Sequence, residues 1–388
     1  MLLLATTHSW ADSPKPPPPQ WTGLVDVFDG LVETAGVVGA SIALVQDGRI
    51  VARHDYGFAD KAAGKRVDGN TLFHWASISK TLNAISVMQL RDRGQLTLED
   101  PMTGYIPELR QIHNPFGSMD AITLRMLLEH SAGFQMATWP YKAGESWEPF
   151  EPTRWEQLVA MMPYQKIAFP PGSQVSYSNP TWIYLARILE AKTGDPWDSY
   201  IQKNIFAPLG MSRSYFRLTP YHLREHRSHH YVVRLGADGK PVTVDNGAEF
   251  DPGITVPNGG WNSPLADVAA YIGFLTDSTG GDEQLEQRFD TVLRRPTVEE
   301  MWQPPRSVTA PLEDAYIGLA FFVRGRGEHR IIGHTGGQGG FNSMMYFNPI
   351  TRRGVVAAFN TGNEITREEG QKPDYFRAIQ QRVFELLR

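Results

Sequence analysis

The sequence contains no cysteine in 388 residues. That absence excludes disulfides, thiolate metal sites and cysteine nucleophiles together. It leaves the compartment open, because a chain of this length can bury a core large enough to fold without cross-links. No apolar run reaches the length of a membrane span. Positive charge is not in excess: 37 Lys and Arg stand against 42 Asp and Glu, a net charge of −5. No nucleic-acid surface is expected from that balance. There is no Gly-x-Ser-x-Gly, so the nucleophile elbow of the α/β-hydrolases is missing. Gly336, Gly337, Gly339 and Gly340 are followed by no Gly-Lys-Ser/Thr, which removes a phosphate loop. What is present is globular in kind, with 41% hydrophobic and 20% charged residues, and the length suits two or three structural lobes.

The N-terminus admits two accounts. Met1-Leu2-Leu3-Leu4-Ala5 is a short apolar stub without a basic start, and Ser9-Trp10-Ala11 has the small-x-small form of a cleavage site. Pro16 to Pro19 then make a stiff spacer. Residues 1–20 are read as a signal remnant with a Pro-rich linker, which places the protein in the periplasm or outside the cell. The alternative is a disordered tail on a cytoplasmic protein.

Periodicity predicts a helix over 21–35. A β-hairpin turning at Asp47-Gly48 follows, with Gly39 to Val45 and Ile50 to Arg53 as its strands. Ile78, Leu82 and Ile85 mark the face of a helix that stops near Gly94. Helices are also predicted at 123–130, 155–162, 181–192, 267–275, 298–302 and 373–387. A surface hairpin is predicted around Asp238-Gly239. Strands are predicted at 317–323, 330–334, 343–347 and 354–359. Consecutive strands joined by short turns imply an antiparallel sheet. The expected fold is α/β (α+β): a mostly antiparallel sheet flanked by helices, with an inserted all-helical lobe. Residues 21–100 and 262–388 would form the discontinuous sheet domain and 101–261 the lobe.

The chemistry starts at Ser77-Ile78-Ser79-Lys80, the only Ser-x-x-Lys in the chain. A spacing of three puts serine and lysine on one helical face, a turn apart. A buried lysine whose ammonium form is disfavoured can take the serine proton. A serine at the start of a helix also offers a free backbone N–H toward developing negative charge. Alone the motif carries little weight, since about one is expected by chance in a chain this long. Two further stretches add to it: Tyr177-Ser178-Asn179 and His334-Thr335-Gly336-Gly337.

With these three in this order the chain resembles the serine β-lactamase and penicillin-binding-protein superfamily. Class C β-lactamases, His-Thr-Gly DD-peptidases and family VIII carboxylesterases are the members it is most similar to. Flanking stretches carry the same resemblance: Ile122 to Gly133, Pro171-Gly172, and Pro257 to Pro264. The resemblance covers about residues 36 to 360 and implies a β-lactamase/transpeptidase-like fold, with the catalytic cleft between the sheet domain and the helical lobe. It implies Ser77 as acyl-forming nucleophile, Lys80 as its base, and Tyr177 as the group that shares the proton and hands it to the leaving group. A phenol does this if nearby cations lower its pKa, and Lys80 and His334 are the candidates. The backbone N–H groups of Ser77 and Gly337 would form the oxyanion hole. Asn179, His334, Thr335 and Gly336 would bind substrate, with Asn179 also holding Lys80. No metal and no cofactor is implied, and the partner is a small-molecule ester or amide.

The substrate expected is a small or medium carboxylic ester. His334 stands where most relatives carry lysine, and an ordinary histidine is mostly neutral at pH 7, so a fixed anchor for a substrate carboxylate is lost. Trp139, Tyr141, Trp147, Phe150 and Trp155 offer an aromatic roof for an apolar group. Against this, some relatives with His-Thr-Gly act on D-Ala-D-Ala peptides, and Arg330 could replace the missing anchor. A β-lactamase or a D-Ala-D-Ala carboxypeptidase or D-aminopeptidase with the same machinery is therefore the alternative. Two rivals come from other classes. His222, Glu225 and His226 spell H-x-x-E-H, a zinc metallopeptidase pattern. A non-catalytic penicillin-binding module would keep the fold without turnover.

Overall fold

A computed structural model describes residues 17–134, 152–306, 315–365 and 374–388. The first helix, α1 (Pro19–Thr34), begins within the proline run and buries Trp21, Leu24, Phe28 and Val32. That stripe at steps of three and four faces one side of a large sheet. Strands β1 (Gly39–Gln46) and β2 (Arg49–Asp60) meet through Asp47 and Gly48, both at positive φ (50° and 72°), the geometry a two-residue hairpin with right-handed strand twist requires. A short β3 (Lys65–Arg66) follows, then β4 (Phe73–Ala76) and helix α2 (Ser79–Asp92).

The remaining strands come late in the chain. The hairpin β5 (Tyr231–Leu235) and β6 (Pro241–Asp245) encloses Asp238-Gly239, and β7 (Trp261–Ser263) pairs with β4. Then follow β8 (Ala315–Ile317), β9 (Phe322–Arg324), β10 (Ile331–Gln338), β11 (Phe341–Asn348), β12 (Arg353–Phe359) and β13 (Thr361–Asn363). The main sheet has eight strands in the order β3-β2-β1-β12-β11-β10-β9-β8, each pair antiparallel. The single strand expected over 317–323 is two, because Ala320 turns the chain at φ 69° between them.

The sheet is covered on both faces, which is why β1 reads as an unbroken apolar run. Ala40, Ile42 and Leu44 face α1 and the terminal helix Asp374–Leu387. Ala43 and Val45 face the opposite way, into the larger core shared with α2. Between α2 and β7 the described chain is mostly short helices and 3-10 turns, apart from the helix Pro180–Thr193, which at 14 residues matches α2. The hairpin β5–β6 departs from that pattern and pairs in parallel with β13, beside the end of the main sheet. Among the described residues no helix is long and apolar enough to cross a membrane.

Helix α2 lies at the centre. Instead of one apolar face it is buried from Ser79 to Leu90 all round. Its polar residues are spent on neighbouring backbone, as burial demands. Asn83 Nδ2 donates to the Trp182 carbonyl at 2.9 Å, and Gln89 Nε2 to the Val292 carbonyl at 2.6 Å.

Candidate active site

Strand β4 runs straight into the turn that carries Ser77. Ala76, its last residue, has φ +47°, a strained conformation for a residue with a side chain. The turn is Ser77-Ile78, and α2 begins at Ser79, so Ser77 sits ahead of the helix rather than in its first turn. Its N–H donates to no acceptor among the described residues. From Thr71 to Leu90 every residue is buried except Ser77, the one residue of that run open in part to solvent. Ser79 is different. Its Oγ donates to the Ala76 carbonyl at 2.7 Å and accepts from Trp261 N–H at 2.9 Å, so it braces the turn.

Lys80 is fully buried. Its Nζ donates to Ser77 Oγ at 3.0 Å and to the Asn258 carbonyl at 2.7 Å. The sequence suggested Asn179 for that second role. Asn179 opens the helix Pro180–Thr193 in helical conformation, and its side chain makes no hydrogen bond among the described residues. The acceptor is a backbone oxygen from the Pro257 to Pro264 stretch, and a backbone oxygen leaves no mark in side-chain spacing.

Tyr177 completes the group. Its hydroxyl faces the Ser77 side chain, and Lys80 Nζ lies 5.0 Å from its ring centroid. Burial pushes its phenol well above the usual value, and the Ser77 side chain only partly opposes this. The lowered pKa expected from nearby cations does not appear: burial dominates, and neither Lys80 nor His334 is among the causes of the shift. The ring is stacked between His130 at 4.5 Å and Phe322 at 6.3 Å.

The third stretch lies inside β10, not at its end. His334 is buried, with Nδ1 2.6 Å from the Thr335 carbonyl oxygen. Gly336 shows why glycine is needed: a Cβ there would sit 2.2 Å from the Trp75 carbonyl oxygen and 3.0 Å from Ala76 Cβ. The absent side chain lets β10 lie against the turn that holds Ser77. Gly337 is exposed. Strand β9 pairs with only Ile331 to Gly333, so from His334 onward the outer edge of β10 carries no strand among the described residues.

Other expected residues lie elsewhere. Arg330 precedes β10 and lies beside Tyr316, whose hydroxyl donates to the Trp302 carbonyl at 2.9 Å. Trp139, Tyr141, Trp147 and Phe150 fall outside the described residues. Trp155 packs edge-on to Tyr184 at 6.4 Å. His222, Glu225 and His226 lie on a 3-10 turn, where residues four apart do not share a face. Among the described residues the one group with metal-ligand proximity is Asp60, His229 and Asp245, so the H-x-x-E-H set is not assembled.

Comparison with known proteins agrees with this architecture. The Beta-lactamase family profile matches residues 24–379. A β-lactamase of Pseudomonas fluorescens is 27% identical over 348 residues, 85% of this chain and 90% of that protein. Penicillin-binding protein 4* of Bacillus subtilis is 25% identical over 83% of this chain and 68% of its own length. Protein flp of Staphylococcus aureus is 23% identical, and the chain spans only 60% of its length. Among solved structures, a class C β-lactamase superposes with a TM-score of 0.72 at 19% identity, covering 95% of this chain and 96% of that one. A D-amino acid amidase from Ochrobactrum anthropi SV3 gives 0.71 at 22% identity over 95% and 98%. A family match over nearly the whole described chain, on this sheet and with this serine–lysine–tyrosine cluster, means that the chain belongs to the Beta-lactamase family of serine hydrolases.

Proposed function

We propose that the protein hydrolyses small to medium carboxylic esters through an acyl-enzyme on Ser77. The observation that carries it is the Lys80 Nζ to Ser77 Oγ bond of 3.0 Å, with the Tyr177 side chain beside both. Ser77 Oγ attacks the ester carbonyl while its proton passes to the Lys80 and Tyr177 pair. The oxyanion is met by the backbone N–H groups of Ser77 and Gly337, from either side of the approach that Gly336 permits. Tyr177 then delivers the proton to the departing alkoxide as the C–O bond breaks. Water, activated by the same pair, adds to the acyl carbonyl and releases the acid, returning the proton to Ser77. In this reading the Asn179 side chain and Thr335 hold the substrate. Retention of all three reactive groups within bonding reach argues against a non-catalytic module.

The preference for esters rests on the two basic side chains offered as anchors for a substrate carboxylate. His334 is buried beside the Tyr177 ring at 6.0 Å with its Nδ1 2.6 Å from the Thr335 carbonyl oxygen, and Arg330 lies beside Tyr316, ahead of β10. An ester also releases a better leaving group than an amide, so it needs less from a phenol whose pKa is raised. The deciding measurement is kcat/KM on short-chain acyl esters, a chromogenic cephalosporin, a D-Ala-D-Ala peptide and a D-amino acid amide. The best ester is expected to exceed the others by at least about tenfold. A β-lactam, peptide or amide value above every ester would overturn the substrate assignment and leave the acyl-enzyme chemistry standing.

A further inference from the structure

We infer that His130 is a positioning residue that clamps Tyr177 from three sides and aims its hydroxyl at Ser77 and Lys80. The inference rests on the role proposed for Tyr177. His130 follows the helix Leu124–Leu128, and its contacts bracket one three-residue stretch. Its carbonyl accepts the N–H of Ser176 at 2.8 Å. Its Nδ1 accepts the N–H of Ser178 at 2.9 Å. Its ring lies on the Tyr177 ring at 4.5 Å with the planes 21° apart. The residues before and after the tyrosine, and the tyrosine itself, are thus all fixed by one side chain and its own backbone.

Two features separate this from ordinary core packing. His130 has φ +56°, which a residue with a branched ring adopts only at a cost, and such strain concentrates at sites the fold must hold in one arrangement. The Ser178 bond also works only for a neutral imidazole with its proton on Nε2, because a protonated Nδ1 would leave that buried N–H without an acceptor. The surroundings enforce the neutral state. Burial, then the charges of Lys80 and His334, hold His130 well below the ordinary histidine value.

The test is a cycle of substitutions read as kcat and KM. His130→Asn keeps an acceptor and tolerates the left-handed backbone but removes the ring; His130→Phe keeps a ring and removes the acceptor. Each is expected to lower kcat for the best ester by about 10- to 100-fold with KM within about threefold. In a Tyr177→Phe background the same changes should cost no more than about a further threefold, because the group they position is gone. Equal losses in both backgrounds, or kcat within about twofold of wild type, would overturn the clamp. Unchanged turnover in Tyr177→Phe alone would instead remove the proposed role of the tyrosine, a failure distinct from that of His130. Should the variants not fold, nitrogen NMR of histidine-labelled wild type near about pH 6 decides: the Nε2–H tautomer supports the clamp and an imidazolium signature refutes it.

Discussion

Ser77 and Lys80 work as a unit because one bond of 3.0 Å joins them in a place where only Ser77 meets solvent. Ser77→Ala and Lys80→Ala are each expected to lower kcat by more than about a thousandfold, and the double variant to be no worse than the poorer single one. A slow acylating agent followed by peptide mass spectrometry should place one adduct, on Ser77. An adduct on Ser79 would refute the assignment, since that hydroxyl is buried between Ala76 and Trp261. At this scale the sequence was readable where chemistry lives in side chains: Ser77, Lys80, Tyr177 and His334 are all drawn to one place. It was unreadable where the group is backbone, as with the Asn258 carbonyl. It also misled where burial, not charge, sets a pKa, as with the Tyr177 phenol. His130 lay within a stretch already notable by resemblance, yet nothing in its spacing pointed to a tyrosine 47 positions on in the chain.

Elements place these groups through close backbone approach. Strand β10 lies against the end of β4 only because Gly336 has no side chain, and Ser343 Oγ on β11 adds a bond to the Trp75 carbonyl at 2.9 Å. Gly336→Ala must therefore push β10 away from the Ser77 turn. The expected cost is about 1–3 kcal/mol of stability, seen as a lower Tm, together with a loss of acylation rate larger than the stability change explains. Wild-type Tm and rate in that variant would mean that the strand has room to move without consequence. The helical period of α2 was legible, but not its burial on every side, because Ser79, Asn83, Ser86 and Gln89 read as a polar face until their backbone partners are seen. Strands of alternating or unbroken apolar residues were found near their true places. The break between β8 and β9 was not, since an alanine at positive φ carries no sequence signal.

The whole molecule closes by pairing the first strand of the chain with one near its end: β1 meets β12 from Ala40 with Phe359 to Gln46 with Arg353. No local pattern announces that pairing; it follows only from the resemblance and from the need to bury both faces of the sheet. Closure also buries several histidines, and this sets how the fold responds to acid. His74 is held between Asn262 and Gln338, where burial and then the charge of Arg227 lower its pKa to about 4. His130 and His230 are lowered too, chiefly by burial. For a histidine whose folded pKa lies below the unfolded value near 6.5, the unfolded chain takes up the proton first. Stability is therefore whole above about pH 6.5 and declines as pH falls toward 4, with His74 alone accounting for about 3 kcal/mol at the lower end. Denaturant unfolding at steps across that range should show the decline, and His74→Gln should flatten it while lowering stability at neutral pH. A stability that stays level from neutral pH down to about 5, or a slope unchanged by His74→Gln, would mean that these histidines find a way to charge inside the folded chain.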